Sequence, residues 1–313
     1  MTTSIMDWDG LNIDEFSKVP LQIGHRLHES ELFGDTALAR LIENSSRENY
    51  YINTMDIDAH DVSTRREGET GDISGEDALK AVADGHIWYL LMQPEKVDSR
   101  YGELLDAIYD EIAAHVPGFR VSMKKLSILV SSPKVQVYYH CDIPGQSLWQ
   151  IRGSKQVYVY PNHEPYLHQP SLEKIVMNEA HEISMPYKPE FDEGAIVYDL
   201  QPGKMLHWPL NAPHRIVNND CVNVSFTTEH MTDSIRRMFI VNKANGILRH
   251  RIGLNPRAQK TDGIGYWAKY GLAGVYKLSG LQKKRRQSFK VDFKVDPNAP
   301  RGVRAISGYE FQK

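Results

Sequence analysis

The chain changes texture twice along its length. From about residue 121 to residue 228, short apolar runs rich in Val, Ile, Tyr and Trp recur between Gly, Pro, Asn and Asp turns: "LSILVSS", "VQVYYHCD", "SLWQI", "KQVYVYP", "GAIVYDL", "KMLHWP" and "VNVSFTTEH". Strands at this density predict an antiparallel sandwich or barrel, not a doubly wound sheet. Before that region the pattern is mixed. The polar, Gly-rich stretch from Asp56 to Gly75 predicts an exposed loop, and Ser74 followed by Asp77 is an N-cap signal opening a helix through "EDALKAVADG". "HIWYLLM" predicts a buried strand. Leu104, Ile108, Ile112 and Val116, with Tyr101 and Leu105 alongside, then form one apolar helix face that Pro117-Gly118 ends. After Thr232 amphipathic helical segments return, "DSIRRMFIVNKANGILRHRIG" and "IGYWAKYGLAGVYKLSGLQKK". The expectation is a mainly β fold with flanking helices in three parts: N-terminal elements (1–120) packing on a β core (121–232), and a basic helical segment (233–313).

Composition narrows the function classes. The 313 residues are 41% apolar and 25% charged, ordinary for a globular protein able to bury a sizeable core. No apolar run approaches the roughly 18 residues of a membrane span, and the N-terminus lacks the basic-then-apolar order of a secretory signal. Cys141 and Cys221 are the only cysteines, which excludes a disulfide scaffold and an all-cysteine zinc site and fits a cytoplasmic protein. The net charge of −3 hides an asymmetry: residues 233–313 hold 18 Lys+Arg against 5 Asp+Glu, the remainder 19 against 35. The basic segment, with "KKRRQSF", is expected to dock on the acidic body of this chain or of a second copy. No basic patch with interleaved aromatics points to nucleic acid.

The candidate chemistry starts at His140-Cys141-Asp142. On a strand, positions i and i+2 share a face, so this imidazole and carboxylate can reach one metal ion together. Two histidines and a carboxylate on one face of an ion leave open positions for substrate and oxygen, the arrangement of non-haem Fe(II) oxygenases. Alone, His-X-Asp is a weak signal. The turn "IPGQS", the strand "LWQIR" and the hairpin signal Gly153-Ser154 follow, so Lys155 is expected to begin a strand returning beside "LWQI", with Val157 and Val159 on its face. A lysine facing an apolar interior needs an anion; a hairpin-end lysine in solvent is the alternative. The third ligand has two candidates, His207 within "KMLHW" and His214 after Pro213.

Residues from about Leu126 to Thr228 resemble the Jumonji-C family of cupin-fold Fe(II)- and 2-oxoglutarate-dependent oxygenases, nearest its aspartyl/asparaginyl hydroxylase branch, that of the hypoxia-inducible-factor asparaginyl hydroxylase. The resemblance rests on His140-Cys141-Asp142, on Gln150-Ile151-Arg152-Gly153-Ser154-Lys155 and on Gln201-Pro202-Gly203, with His214 arriving eleven residues after Gly203. It implies a double-stranded β-helix (cupin or jelly-roll barrel) with N-terminal α/β elements and C-terminal helices. In that register His214 is the third ligand of Fe(II), and His207 stands where the family has an aromatic residue. Lys155 would hold the far carboxylate of 2-oxoglutarate, with Ser225, Tyr138 and Gln146 as further contacts. Trp149 and Trp208, with Tyr138, would line a substrate pocket at the barrel mouth. Three positions depart from the family pattern: Val137 replaces a threonine, Gln146 an asparagine and Lys204 an aspartate. The implied reaction consumes 2-oxoglutarate and O2, releases succinate and CO2, and hydroxylates a protein side chain or a small metabolite. The alternatives are a metal-binding cupin without turnover and a cupin enzyme independent of 2-oxoglutarate. By analogy with the branch, the C-terminal helices would form a homodimer interface, for which Ile235, Phe239, Val241 and Ile247 have compatible spacing.

Overall fold

A computed structural model describes residues 4–56, 61–280 and 288–312. In chain order the N-terminal part holds β1 (Met6–Asp7), β2 (Leu21–His25), α1 (Asp35–Asn44), β3 (Tyr50–Thr54), β4 (Arg66–Glu69), α2 (Gly75–Asp84), β5 (Trp88–Met92) and α3 (Arg100–His115). The central part holds β6 (Met123–Ser131), β7 (Gln136–His140), β8 (Gly145–Arg152), β9 (Lys155–Val159), α4 (Gln169–Val176), β10 (Ile196–Leu200), β11 (Lys204–His207), β12 (His214–Asn218) and β13 (Asn223–Met231). The C-terminal part holds α5 (Asp233–Ile252), α6 (Gly263–Leu278), β14 (Ser288–Val295) and β15 (Val303–Gln312).

The β6–β13 region builds the expected barrel. Its strands divide between two facing sheets, one in the order β11-β8-β13-β6 and one in the order β10-β9-β12-β7. Apart from β9 to β10, each consecutive pair crosses from one sheet to the other, which is the double-stranded β-helix of cupins. The Gly153-Ser154 hairpin expectation is therefore corrected. Both edges of β8 are already occupied, by β11 and β13, so the two-residue turn carries the chain to the opposite sheet, where β9 pairs with β10 and β12. Gly153 makes this tight crossing at φ 72°, and a Cβ there would lie 2.1 Å from the Val222 carbonyl oxygen.

Both flanks join the larger sheet by hydrogen bonding and do not merely pack on it. β2 pairs with β11 at one edge, and β5, β3 and β4 extend the sheet beyond β6 at the other. Apolar faces of α1, α2 and α3 (Leu38, Leu41, Ala78, Val82, Ile108, Ile112) cover the outer face over Ile128, Trp149 and Phe226. The Ser74 cap is present, its Oγ accepting from the Asp77 N–H at 3.0 Å. On the smaller sheet, Tyr139 and Cys141 pack outward against Leu172, Ile175 and Val176 of α4.

Further expectations are corrected. The stretch 56–75 is not wholly a loop: β4 lies within it, with Glu67 and Thr70 buried. The segment 233–313 is not wholly helical, since β14 joins β4 in parallel and β15 closes the edge. The basic run of residues 283–286 lies outside the described residues. In α5, Ile235, Val241 and Ile247 are buried and Phe239 packs toward the α4 cluster; exposed apolar residues of the two helices are Ile252 at the end of α5 and a larger set on α6. Among the described residues no helix is long and apolar enough to cross a membrane.

Gly153→Ala should lower the free energy of unfolding by about 2 kcal/mol or more, through positive-φ strain and the clash with Val222. Chemical denaturation measures the loss, and an unchanged midpoint would remove Gly153 from this role.

Candidate metal centre and adjoining cavity

His140 ends β7, His214 begins β12, and the two are direct partners across that pair. Asp142 follows on the turn after β7, where Asn211 Nδ2 donates to its backbone carbonyl at 2.6 Å. One ligand atom from each of His140, Asp142 and His214 lies within 4.8 Å of the others. His214 Nε2 is 3.3 Å from Asp142 Oδ2, and His140 Nε2 is 4.0 Å from Asp142 Oδ1. Neighbouring ligands of an ion held at about 2.1 Å sit about 3 Å apart, so small side-chain rotations complete the site.

The hydrogen bonds select the ligand atoms. His140 Nδ1 is 2.7 Å from the Tyr138 carbonyl and His214 Nδ1 is 3.0 Å from the Ala212 carbonyl. A carbonyl only accepts, so each Nδ1 carries a proton and Nε2 is the ring nitrogen that each histidine turns toward Asp142. Burial, then the nearby His140 imidazole, hold His214 well below the ordinary histidine value. Burial also raises Asp142, against an opposing effect of His140. Asp142 Oδ2 has no hydrogen-bond partner among the described residues. A neutral His214 imidazole and a second imidazole around an unsatisfied buried carboxylate oxygen suit a divalent cation.

Alternation on the strands sorts the remaining residues. Lys155, Val157 and Val159 of β9 face the barrel interior with Leu148, Leu206 and Ile216. Lys155 is 2% exposed, so the solvent alternative is excluded, and its Nζ donates to Ser225 Oγ at 3.0 Å. Burial lowers its pKa from 10.5 to about 7. His214 pairs with Val159, four positions along β9 from Lys155, or roughly 13 Å of strand. That separation makes Lys155 a partner for the far end of a ligand, not a metal ligand itself. Gln146 is buried, with Oε1 unpartnered among the described residues.

Trp208 faces the interior, its ring 4.4 Å from that of His214. Trp149 does not line a pocket, and this expectation is corrected. It is 0% exposed on the opposite face of β8, stacked on Phe226, with Nε1 donating to Thr228 Oγ1 at 3.0 Å. His207, the discarded ligand candidate, stacks on Phe16 and bonds Ser17 and Ser147, away from the triad.

Beside the triad lies a cavity of about 320 Å³, bordered by His140 and Tyr138. Tyr138 Oη is 2.8 Å from Thr64 Oγ1. Sequence reasoning missed the rest of the wall: Tyr51, Asn53, Trp88 and Leu90 of β3 and β5, Arg65, and the segment His181–Ile183, with Glu229 from β13. Glu182 is raised to about 8 by burial and then by Asp142, and burial chiefly raises Glu229.

No family model matches the chain, and no curated protein matches it in sequence. Among solved structures it is similar to the X-ray structure of YcfD from E. coli, with TM-score 0.50 and 14% identity over 88% of this chain and 69% of that one. A second structure of YcfD, described as a ribosomal oxygenase from Escherichia coli in complex with cobalt and 2-oxoglutarate, matches at TM-score 0.49 and 15% identity, over 86% and 67% of the two chains. The first likeness establishes the fold, in agreement with the strand order above.

Adding Mn(II) or Co(II) should raise the thermal unfolding midpoint by several degrees at ligand excess, about 2–4 kcal/mol of linkage at 100 to 1,000 times Kd. His214→Ala and Asp142→Ala should each erase the shift. Scanning calorimetry with and without metal is the check, and an equal shift in the variants would place the ion elsewhere.

Proposed function

We propose that this chain is an oxygenase of the Jumonji-C type, dependent on Fe(II) and 2-oxoglutarate, that hydroxylates its substrate with release of succinate and CO2. The observation that carries the reading is the pairing, within one barrel interior, of the His140–Asp142–His214 cluster with a buried lysine that has a hydroxyl but, among the described residues, no carboxylate beside it. Two imidazoles and one carboxylate are the donor set of Fe(II) oxygenase sites, and a buried ammonium calls for an anion.

The parts of the chain have distinct tasks. His140 and His214 would bind through Nε2, each held by its Nδ1–H, and Asp142 would supply the negative charge. When bound, Fe(II) would supply oxygen activation. Lys155, with Ser225 beside it, would fix the distal carboxylate of 2-oxoglutarate by a charge-assisted hydrogen bond, which orients as well as binds. Leu148, Val157, Leu206 and Ile216 keep water from the interior, and Trp208 braces the His214 ring. The cavity beside His140 would receive the substrate. A cupin enzyme independent of 2-oxoglutarate gives Lys155 no task, and a cupin without turnover gives none to the open side of the triad.

The reading extends to a cytoplasmic homodimer. Both cysteines are free, as in a reducing compartment. α6 exposes Ile264, Trp267, Val275 and Leu278, which a second copy would cover. Ile264→Glu with Trp267→Glu should convert a dimer to a monomer in light scattering; a monomeric parent chain would end this part.

Lys155→Met should cut succinate formation from 2-oxoglutarate about 100-fold or more while sparing the metal-induced rise in unfolding midpoint. The affinity for 2-oxoglutarate should weaken as pH rises above about 7, because the free lysine then loses the proton the pairing needs. For the apoprotein the sign is opposite. The folded value lies below 10.5, so the unfolded chain binds the extra proton between about 7 and 10.5, and stability rises with pH across that window. Lys155→Met flattens this dependence and stabilises the apoprotein by roughly 2–4 kcal/mol at pH 8. Anaerobic reconstitution followed by a succinate assay decides the function: no succinate with Fe(II), 2-oxoglutarate and oxygen would refute it.

A further inference from the structure

The cavity that His140 borders is walled in part by one face of β3 and β5. Asn53 and Trp88 are direct partners across that pair, as are Tyr51 and Leu90, and all four side chains line the cavity, while Ile52, Tyr89 and Leu91 pack into the core behind. Asn53 is 0% exposed, yet neither Nδ2 nor Oδ1 has a hydrogen-bond partner among the described residues. The same holds for Trp88 Nε1 beside it. Buried polar atoms are otherwise almost always paired, so two adjacent donors and one acceptor left open on a cavity wall describe the ligand that would close them.

We propose that Asn53 and Trp88 determine substrate specificity by selecting an amide group. Asn53 Nδ2 and Trp88 Nε1 donate to the two lone pairs of an amide carbonyl oxygen, and Asn53 Oδ1 accepts an amide N–H. A carboxylate offers no hydrogen to Oδ1 and would leave that buried acceptor stranded. A simple cation offers no acceptor to the two donors. A neutral primary amide, with an N–H on the same side as its carbonyl, serves all three atoms, and its apolar remainder meets Leu90, Ile143 and Ile175. Sites built to hydrogen-bond a donor reject the analogue lacking it, because their own atoms are then stranded. The assignment rests on the oxygenase reading for what happens to the bound group at the metal, but not for the binding.

The test titrates butyramide, N-methylbutyramide and methyl butyrate into the full chain in the presence of Mn(II) and 2-oxoglutarate, with ligand-observed NMR as the readout. Butyramide should bind about tenfold tighter than the ester, which lacks the N–H. N-methylbutyramide, whose N–H lies anti to its carbonyl, should lose most of that advantage, and a secondary amide that binds tighter than butyramide would count against the pairing. Asn53→Leu should collapse the amide-to-ester ratio toward one. Trp88→Phe should weaken amide and ester alike, each about fivefold, and keep the ratio. Circular dichroism checks folding, and Trp88→Phe still decides if Asn53→Leu does not fold. A ratio near one in the parent chain, a ratio untouched by Asn53→Leu, or full affinity in Trp88→Phe would overturn the proposal. Succinate formation by the parent chain is followed separately. Succinate without amide preference refutes the subsite alone; amide preference without succinate refutes the oxygenase reading alone.

Discussion

Asp142, His214 and Lys155 are withdrawn from water in and around a barrel filled by Leu148, Val157, Val159, Leu200 and Leu206, with little to neutralise them. Each shifts toward its uncharged form, the direction that burial imposes: Asp142 upward, His214 downward, and Lys155 to about 7. An apolar replacement at any of the three would make a better core. A cation among the first group and an anion against the lysine would remove the conflict at both ends. The two needs are opposite in sign, and both groups face one interior, so a ligand that bridges them satisfies both in one act.

The environment that creates this conflict comes from outside the barrel proper. β8 is buried on both faces because α1 to α3 cover its outside while β9 and β12 close its inside, and a strand exposed on one face could not keep Gln146 and Gln150 dry. Extension of the larger sheet by β5 and β3 does something further. It continues the wall past β6 and sets Asn53 and Trp88 around the same cavity as Val137, Tyr138 and His140 of β7. A bulge in the β7–β12 pair, between the His140–His214 and Val137–Ile216 partners, sets Tyr138 and Tyr139 together against Arg215. The flanks are thus part of the site.

What the sequence revealed and what it hid follow from how local each determinant is. The candidate ligand cluster was legible because His140 and Asp142 are two apart at one strand end and His214 keeps a fixed interval after a Pro-Gly turn. Lys155, Val157 and Val159 were legible as one face by period two, though not whether that face turns inward. The sheet crossing was not, because a Gly-Ser turn looks the same whether the next strand returns or changes sheet, and only the occupied edges of β8 decide. Trp149 was misplaced for a related reason: with both faces of "LWQI" apolar, alternation leaves no mark. β4 hid behind polar composition, and its Gly68 answers to a residue 225 positions away, since a Cβ there would lie 2.2 Å from the Phe293 ring. The last strands carry a readable signal in the alternation of Val291, Phe293 and Val295, set among basic residues that dominate the composition there.

The two ends of the site also differ in charge, and that difference orders what each can hold. At the deep end Lys155 and Ser225 offer donors to an anion. On the cavity wall the cationic groups are already committed or silent: Arg65 is 3.5 Å from Glu67, and His181 is lowered to about 4 by burial and then by Arg65, which keeps it neutral. Glu182 and Glu229 stand there with neutral donors and acceptors. A dicarboxylate is therefore drawn to the barrel interior, where the buried ammonium lies, while a neutral polar group finds open partners on the cavity wall. Two ligands of different chemistry can then occupy adjoining spaces without competing, which an enzyme joining a 2-oxo acid and a separate substrate at one metal requires.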